Sequence, residues 1–173
     1  MKLIGKYSIA SALRWLLGVA NVFVVIGGVL TLILFAFALA DPSLGAGLLD
    51  GMEGRPADPS HILHWSGALV FLGGALACGF TWWIINRLRR ILLSVNQGDA
   101  FEFANVKRLQ AVGLGLIGLQ LVNLALVVAA TLGEGALNRS LNLGAWLGIL
   151  VVFILAEVFR QGAAMRDEQL TTV

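Results

Sequence analysis

Four long apolar stretches, none holding a proline, constrain this chain more than any motif in it; they lie at about residues 15–40, 65–85, 111–132 and 143–159. The hydrocarbon core of a bilayer is about 30 Å thick, and a helix needs about 20 apolar residues to cross it. The first three stretches reach that length, and the fourth can continue helically through Gly162 and Ala163. Inside lipid a segment has to satisfy its own backbone hydrogen bonds, so each stretch is expected to be a helix. Strands of a membrane barrel would be about half as long and would alternate in polarity, which these do not. Composition agrees: 58% of the residues are hydrophobic and 13% charged, against about 25% charged in an ordinary soluble domain. The expected fold is all-α, a four-transmembrane-helix bundle occupying the 173 residues as one membrane domain.

The side of each connection follows from the basic residues. Ten of the twelve lysines and arginines (Lys2, Lys6, Arg14, Arg87, Arg89, Arg90, Lys107, Arg108, Arg160 and Arg166) fall on one side if the N-terminus, residues 86–110 and the C-terminus share it. Only Arg55 and Arg139 fall on the other. That bias makes the first side cytoplasmic and predicts both termini inside. Trp15, Trp82 and Trp83 then sit at the inner boundary and Trp65 and Trp146 at the outer one, where amphipathic rings prefer to lie. The first outer connection holds all three prolines, Pro42, Pro56 and Pro59, so no helix is expected there. Ala38-Leu39-Ala40 resembles a signal-peptidase site, but the apolar run before it is about twice the length usual in signal peptides. The first helix is therefore expected to remain in the chain.

Polar groups inside the spans are few. Asn21 lies in the first, Gln120 and Asn123 lie three residues apart on one face of the third, and Glu157 lies near the end of the fourth, three residues before Arg160. The amides can bond across helix interfaces, or they can line a polar cavity as a candidate intramembrane cluster. Glu157 is expected to pair with Arg160 at the membrane edge and to tie the fourth helix to the second, where Arg87, Arg89 and Arg90 lie at similar depth. Its replacement by glutamine is then expected to lower thermal stability. Glycines crowd the second helix (Gly67, Gly73, Gly74, Gly79) and the third (Gly113, Gly115, Gly118), a pattern suited to close packing. Cys78 is expected to be a small buried packing residue, and a lone cysteine excludes an intramolecular disulfide. His61 and His64, with Asp58 nearby, supply too few ligands to define a metal site. No nucleophile lies beside a base and no glycine loop is shaped for phosphate, so neither catalysis nor a cofactor is expected. The net charge of +2 gives no reason to expect direct nucleic-acid binding.

The connection between the second and third helices is the most distinctive segment. Leu88, Ile91, Leu92 and Val95 follow i, i+3, i+4, i+7 spacing, which predicts a cytoplasmic amphipathic extension of helix two. Arg87, Arg89 and Arg90 beside that stripe suit phosphate head groups or an acidic partner. Gly98 can end the helix in a left-handed turn completed by Asp99 and Ala100. Phe101 is expected to return toward the apolar stripe or the membrane surface, and Asn105 to cap or punctuate the start of the third helix.

Leu88-Arg89-Arg90-Ile91-Leu92, Val95, Gly98-Asp99-Ala100-Phe101, Asn105 and Leu109 together resemble the signature of a bacterial membrane family, domain-of-unknown-function family 2975. The run Leu155-Ala156-Glu157-Val158-Phe159-Arg160-Gln161-Gly162, with Met165-Arg166-Asp167-Glu168 and Thr171-Thr172-Val173, is similar to that family's closing segment. Ala100 stands where the family commonly has proline, which leaves the turn less rigid. The resemblance implies a four-helix protein of the bacterial inner membrane and no established activity. Members are often encoded beside a small helix-turn-helix regulator of the Cro type, which by association implies a membrane partner for a DNA-binding protein.

These readings favour a non-enzymatic regulatory or interaction protein, in contact with membrane lipids, whose cytoplasmic surface (Arg87, Arg89, Arg90, Gly98, Asp99, Phe101, Asn105 and the tail) holds a cytoplasmic partner. The alternative is a small transporter, channel component or lipid- or small-molecule-binding protein using Asn21, Gln120 and Asn123. Assembly as a homo-oligomer stays open at this point.

Overall fold

The computed structural model describes residues 9–53, 66–98, 101–132 and 142–171. These form five helices: α1 (Ile9–Ala40), α2 (Pro42–Glu53), α3 (Ser66–Asn96), α4 (Phe103–Leu132) and α5 (Leu143–Thr171). There is no strand among the described residues. Four helices are long and apolar enough to cross a membrane, over Ala12–Ala40, Gly67–Asn96, Phe103–Ala129 and Leu143–Gln169. The 31 residues of α3 make a rod about 46 Å long, about half as long again as the hydrocarbon core.

Little of this apolar surface is covered by protein. Trp15, Phe23, Val29 and Phe37 of α1 are all more than half exposed, as are Leu147, Leu150 and Ile154 of α5. Patches of that extent are not kept in water, whereas in a bilayer they cost nothing because lipid tails cover them. The four crossings and the lipid contact are therefore two sides of one observation.

The α2 helix corrects the expectation that proline would keep the first outer connection free of helix. Pro42 opens α2 in its first turn, where a missing N–H costs no intrahelical hydrogen bond. Asp41 serves both helices: its amide donates to the Phe37 carbonyl to close α1 (2.9 Å), and its carbonyl accepts from the Gly45 amide to begin α2 (3.3 Å). Its carboxylate accepts from the Ser43 hydroxyl (2.6 Å) and the Ser43 amide (3.0 Å), a side-chain cap. The hydroxyl bond, more than the amide bond, holds the Asp41 carboxyl below its ordinary value of 3.8. A depressed folded-state pKa means that the cap's stabilisation is present above about pH 4 and is lost as pH falls through the folded value. Amide exchange along α2, corrected for intrinsic rates, is expected to accelerate in acid; protection that does not change with pH would contradict this. Pro56, Pro59, Asp58, His61, His64 and Trp65 lie outside the described residues.

The chain divides into two compact units. One comprises the described residues within Val24–Gly79 and Leu119–Asn142. Its core is Ala38, Ala68 and Phe71, with Leu34 and Phe35 packed against them. Glycine sets the approach of its helices: a Cβ on Gly67 would lie 2.6 Å from the carbonyl carbon and oxygen of Gly45. Cys78 is half-buried rather than buried, and it packs where α3 meets Gly27 and Gly28 of α1. The hydroxyl of Thr31 donates back to the carbonyls of Gly27 and Gly28, both at 3.0 Å, and so needs no partner from another helix.

The other unit comprises the described residues within Met1–Phe23, Phe80–Gly118 and Leu143–Val173. Ile84, Ile85, Val106, Val112, Ile149, Ala156 and Ala163 are buried in it. Gly113 receives the Phe153 ring, Gly115 receives Ile84 and Gly118 receives the Phe80 ring, so α4 accepts large side chains from both α3 and α5. The glycine pattern expected to serve packing serves it in this way, as sockets for rings and branched chains.

Candidate functional site

The end of α3 and the turn into α4 form the most elaborated part of this second unit. Leu88, Ile91, Leu92 and Val95 are all half-buried, as one face of an amphipathic extension requires. The helix closes when the Gln97 amide donates to the carbonyls of Leu93 and Ser94 (3.2 and 3.1 Å) and the Gly98 amide to Val95 (3.1 Å). Gly98 has φ +90°, a left-handed conformation that glycine adopts without penalty. Asp99 and Ala100, expected to complete the turn, lie outside the described residues.

Asn105 does not cap a helix. It lies within α4 and is fully buried at 0% exposure. Its amide nitrogen donates to the Ser94 hydroxyl oxygen (2.9 Å), and its carbonyl accepts from Nη1 of Arg108 (2.7 Å). Ser94 in turn donates to the Glu102 carboxylate (3.1 Å), which lies 3.7 Å from the Arg108 guanidinium. Four side chains thus close a circuit that joins the last turns of α3 to the first turns of α4. A buried amide with both its ends bonded is stable, whereas one left unpaired is costly. Burial also removes Asn105 from any binding surface, which corrects the expectation that it forms part of one. Ser94 and Glu102 were not singled out in the sequence and Arg108 only for its charge, although a serine among the apolar residues of an amphipathic stripe is a signal that a buried polar partner exists.

Phe101 packs against α5. Its ring centroid lies 5.4 Å from that of Phe159, tilted by 40°. A Cβ on Gly162 would lie 2.7 Å from the Phe101 ring, so the glycine is the seat that receives it. The turn is therefore fixed at both ends, by the Asn105 circuit on one side and by the Phe101 contact on the other. Half of the Phe101 surface remains exposed, as does that of Phe103.

The three arginines of α3 diverge. The Arg87 guanidinium lies over the Trp83 ring, 5.4 Å from its centroid. Arg89 points at α1, with Nη2 3.9 Å from a Cβ position on Gly18. Arg90 is exposed. None of the three pairs with Glu157, whose carboxylate accepts from Nε and Nη2 of Arg160 (2.8 and 2.6 Å) and from Gln161 (3.2 Å). The ion pair is closed within α5, which corrects the expectation that it would tie α5 to α3. Because both partners are about half exposed and the pair is local, Glu157→Gln is expected to leave the melting temperature in detergent nearly unchanged. A large drop would show that the carboxylate has a tertiary role.

Gln120 and Asn123 lie on α4, and Asn21 lies on α1. The side-chain carbonyl oxygen of Asn21 is buried and without a partner among the described residues. Asn21 belongs to one unit, Gln120 and Asn123 to the other.

Helix length and apolar exposure define a multi-pass helical membrane protein. A family model described as "Protein of unknown function (DUF2975)" matches residues 55–173, and the chain belongs to that family. The match takes in α3, the turn, α4 and α5, as the resemblance in those segments implied. No curated protein and no solved structure matches the chain.

Proposed function

We propose that the chain is a non-enzymatic interaction protein of the bacterial inner membrane, with both termini cytoplasmic, which holds or releases a soluble cytoplasmic partner. The observation that carries this reading is the turn between α3 and α4. A buried circuit and a glycine seat fix it, yet it presents Phe103 at 53% exposure beyond the apolar run, and α5 carries Met165 at 60% exposure in its polar last turns. Rigid scaffolds that display a few apolar side chains among charges are typical of binding faces. The partner class that the family resemblance implies is a small helix-turn-helix regulator. Purification of the full chain from native membranes, with and without crosslinking, tests the reading. A soluble protein is expected to be retained, and to be lost from Phe103→Ser and Met165→Ser variants that melt like the native chain. Retention of no soluble protein in either condition contradicts the proposal.

The unpartnered carbonyl of Asn21 favours a second reading, a small transporter, channel component or lipid- or small-molecule-binding protein. A buried acceptor without a donor is destabilising by about 1–3 kcal/mol. In a dry site Asn21→Leu is therefore expected to raise the melting temperature. A site that holds a polar ligand would instead be weakened by the same change, and that result would move the assignment to this second reading.

A further inference from the structure

We propose that Arg14 of α1 and Arg89 of α3 form a site for the phosphate of an anionic phospholipid head group. The two helices meet at Gly18, against which the Arg89 guanidinium lies. Arg14 precedes Gly18 by four residues, one turn along the same face of α1. Arg14 therefore stands one turn from the place that the Arg89 guanidinium reaches. Neither has a hydrogen bond or an ion pair among the described residues, while Glu102 is paired with Arg108 and Glu157 with Arg160. Arg89 is, moreover, half-buried. A charge drawn partly out of water at a membrane boundary favours a counter-ion.

The surroundings select lipid as the source of that counter-ion. Trp15, adjacent to Arg14, is 73% exposed, and Trp82 and Trp83, less than two turns before Arg89, are 48% and 47% exposed. Exposed indole rings of this kind sit at head-group depth. Leu13 and Leu16 flank Arg14 and are also exposed, so acyl chains cover the rim of the site while the arginines face the phosphate layer. Arginine suits this task because its planar fork can donate two hydrogen bonds to one phosphate. The site uses neither Phe103 nor Met165, so its test is independent of the test for a soluble partner.

Quenching of tryptophan fluorescence tests the site. The full chain is reconstituted in mixed vesicles of phosphatidylcholine and phosphatidylglycerol, with one lipid or the other brominated. Brominated phosphatidylglycerol is expected to quench as though enriched roughly fivefold at the protein over its bulk share. The enrichment should vanish in Arg89→Gln and fall in Arg14→Gln. It should persist in Arg90→Gln and in the presence of inorganic phosphate. Arg89→Lys keeps the charge and serves if the glutamine variant does not fold; it is expected to lose most of the enrichment because the fork is gone. Quenching that follows bulk composition overturns the proposal. So does a loss in Arg90→Gln equal to that in Arg89→Gln, which would mean diffuse surface charge. Abolition by inorganic phosphate would assign the site to free anions and also overturn it.

Discussion

Replacement of Gly67 by alanine is expected to lower the melting temperature of the purified protein by several degrees, at a cost of about 1–3 kcal/mol. The added methyl would lie 2.6 Å from the carbonyl carbon and oxygen of Gly45 and 3.0 Å from its Cα. All three are main-chain atoms, so no side-chain rotation relieves the overlap, and α2 has to move from α3 as a body. The surrounding contacts offer no slack, since Gly45 itself sits against Ala38, where an added Cβ would be 2.6 Å from the Ala38 Cβ. Gly47 on the same short helix is the control, because a Cβ there meets nothing within 4 Å. Gly47→Ala is expected to stabilise α2 by about 0.5–1 kcal/mol through helix propensity alone. Thermal unfolding in one detergent compares the two. If Gly67→Ala melts no lower than Gly47→Ala, the close approach of the two backbones is wrong.

The second large effect is expected at Asn105. Asn105→Leu keeps the branched shape of the side chain at a larger volume and opens the polar circuit at its buried centre, removing the donor that Asn105 gives the Ser94 hydroxyl and the acceptor it gives the Arg108 guanidinium. Loss of such a group from a fully buried network costs about 2–4 kcal/mol. Ser94→Ala, which leaves Asn105 bonded to Arg108, is expected to cost about 1 kcal/mol. A double-mutant cycle between positions 94 and 105 should show a coupling of at least about 1 kcal/mol, as side chains that share one network do. Additive losses would mean that the hydrogen bonds contribute nothing jointly and that the turn is held by packing alone.

The four spans could be read from the chain because lipid imposes a single rule, an apolar run of fixed length, that tertiary packing cannot override. The α2 helix could not be read in the same way. Its 12 residues include Gly45, Gly47 and Gly51 behind a proline, so propensity argues against it. It exists because Asp41 caps it and because the missing side chains let it lie on the backbone at Gly67. Asp-Pro at a helix start was the local signal, and its weight depends on a contact more than twenty positions away. At the turn, Gly98 was legible because its role is conformational and local. Asn105 was misplaced because the groups that bury and satisfy it, Ser94 and Arg108, lie on two helices. The seat of Phe101 at Gly162 could not be read for a similar reason, since it lies on a helix that the turn's own sequence does not mention. The three arginines of α3 behaved alike in sequence and diverged in structure, one onto an indole, one against α1 and one outward.

Labelling of single-cysteine variants with a membrane-impermeant maleimide, in a Cys78→Ala background, tests the proposed membrane arrangement most directly. Gln97→Cys at the turn and Met165→Cys on α5 are expected to stay unlabelled in intact spheroplasts and to react once the membrane is opened. Gly47→Cys on α2 is expected to react in both conditions. Labelling of Gln97→Cys and Gly47→Cys from the same side would contradict the four crossings and, with them, the cytoplasmic face on which the proposed function rests.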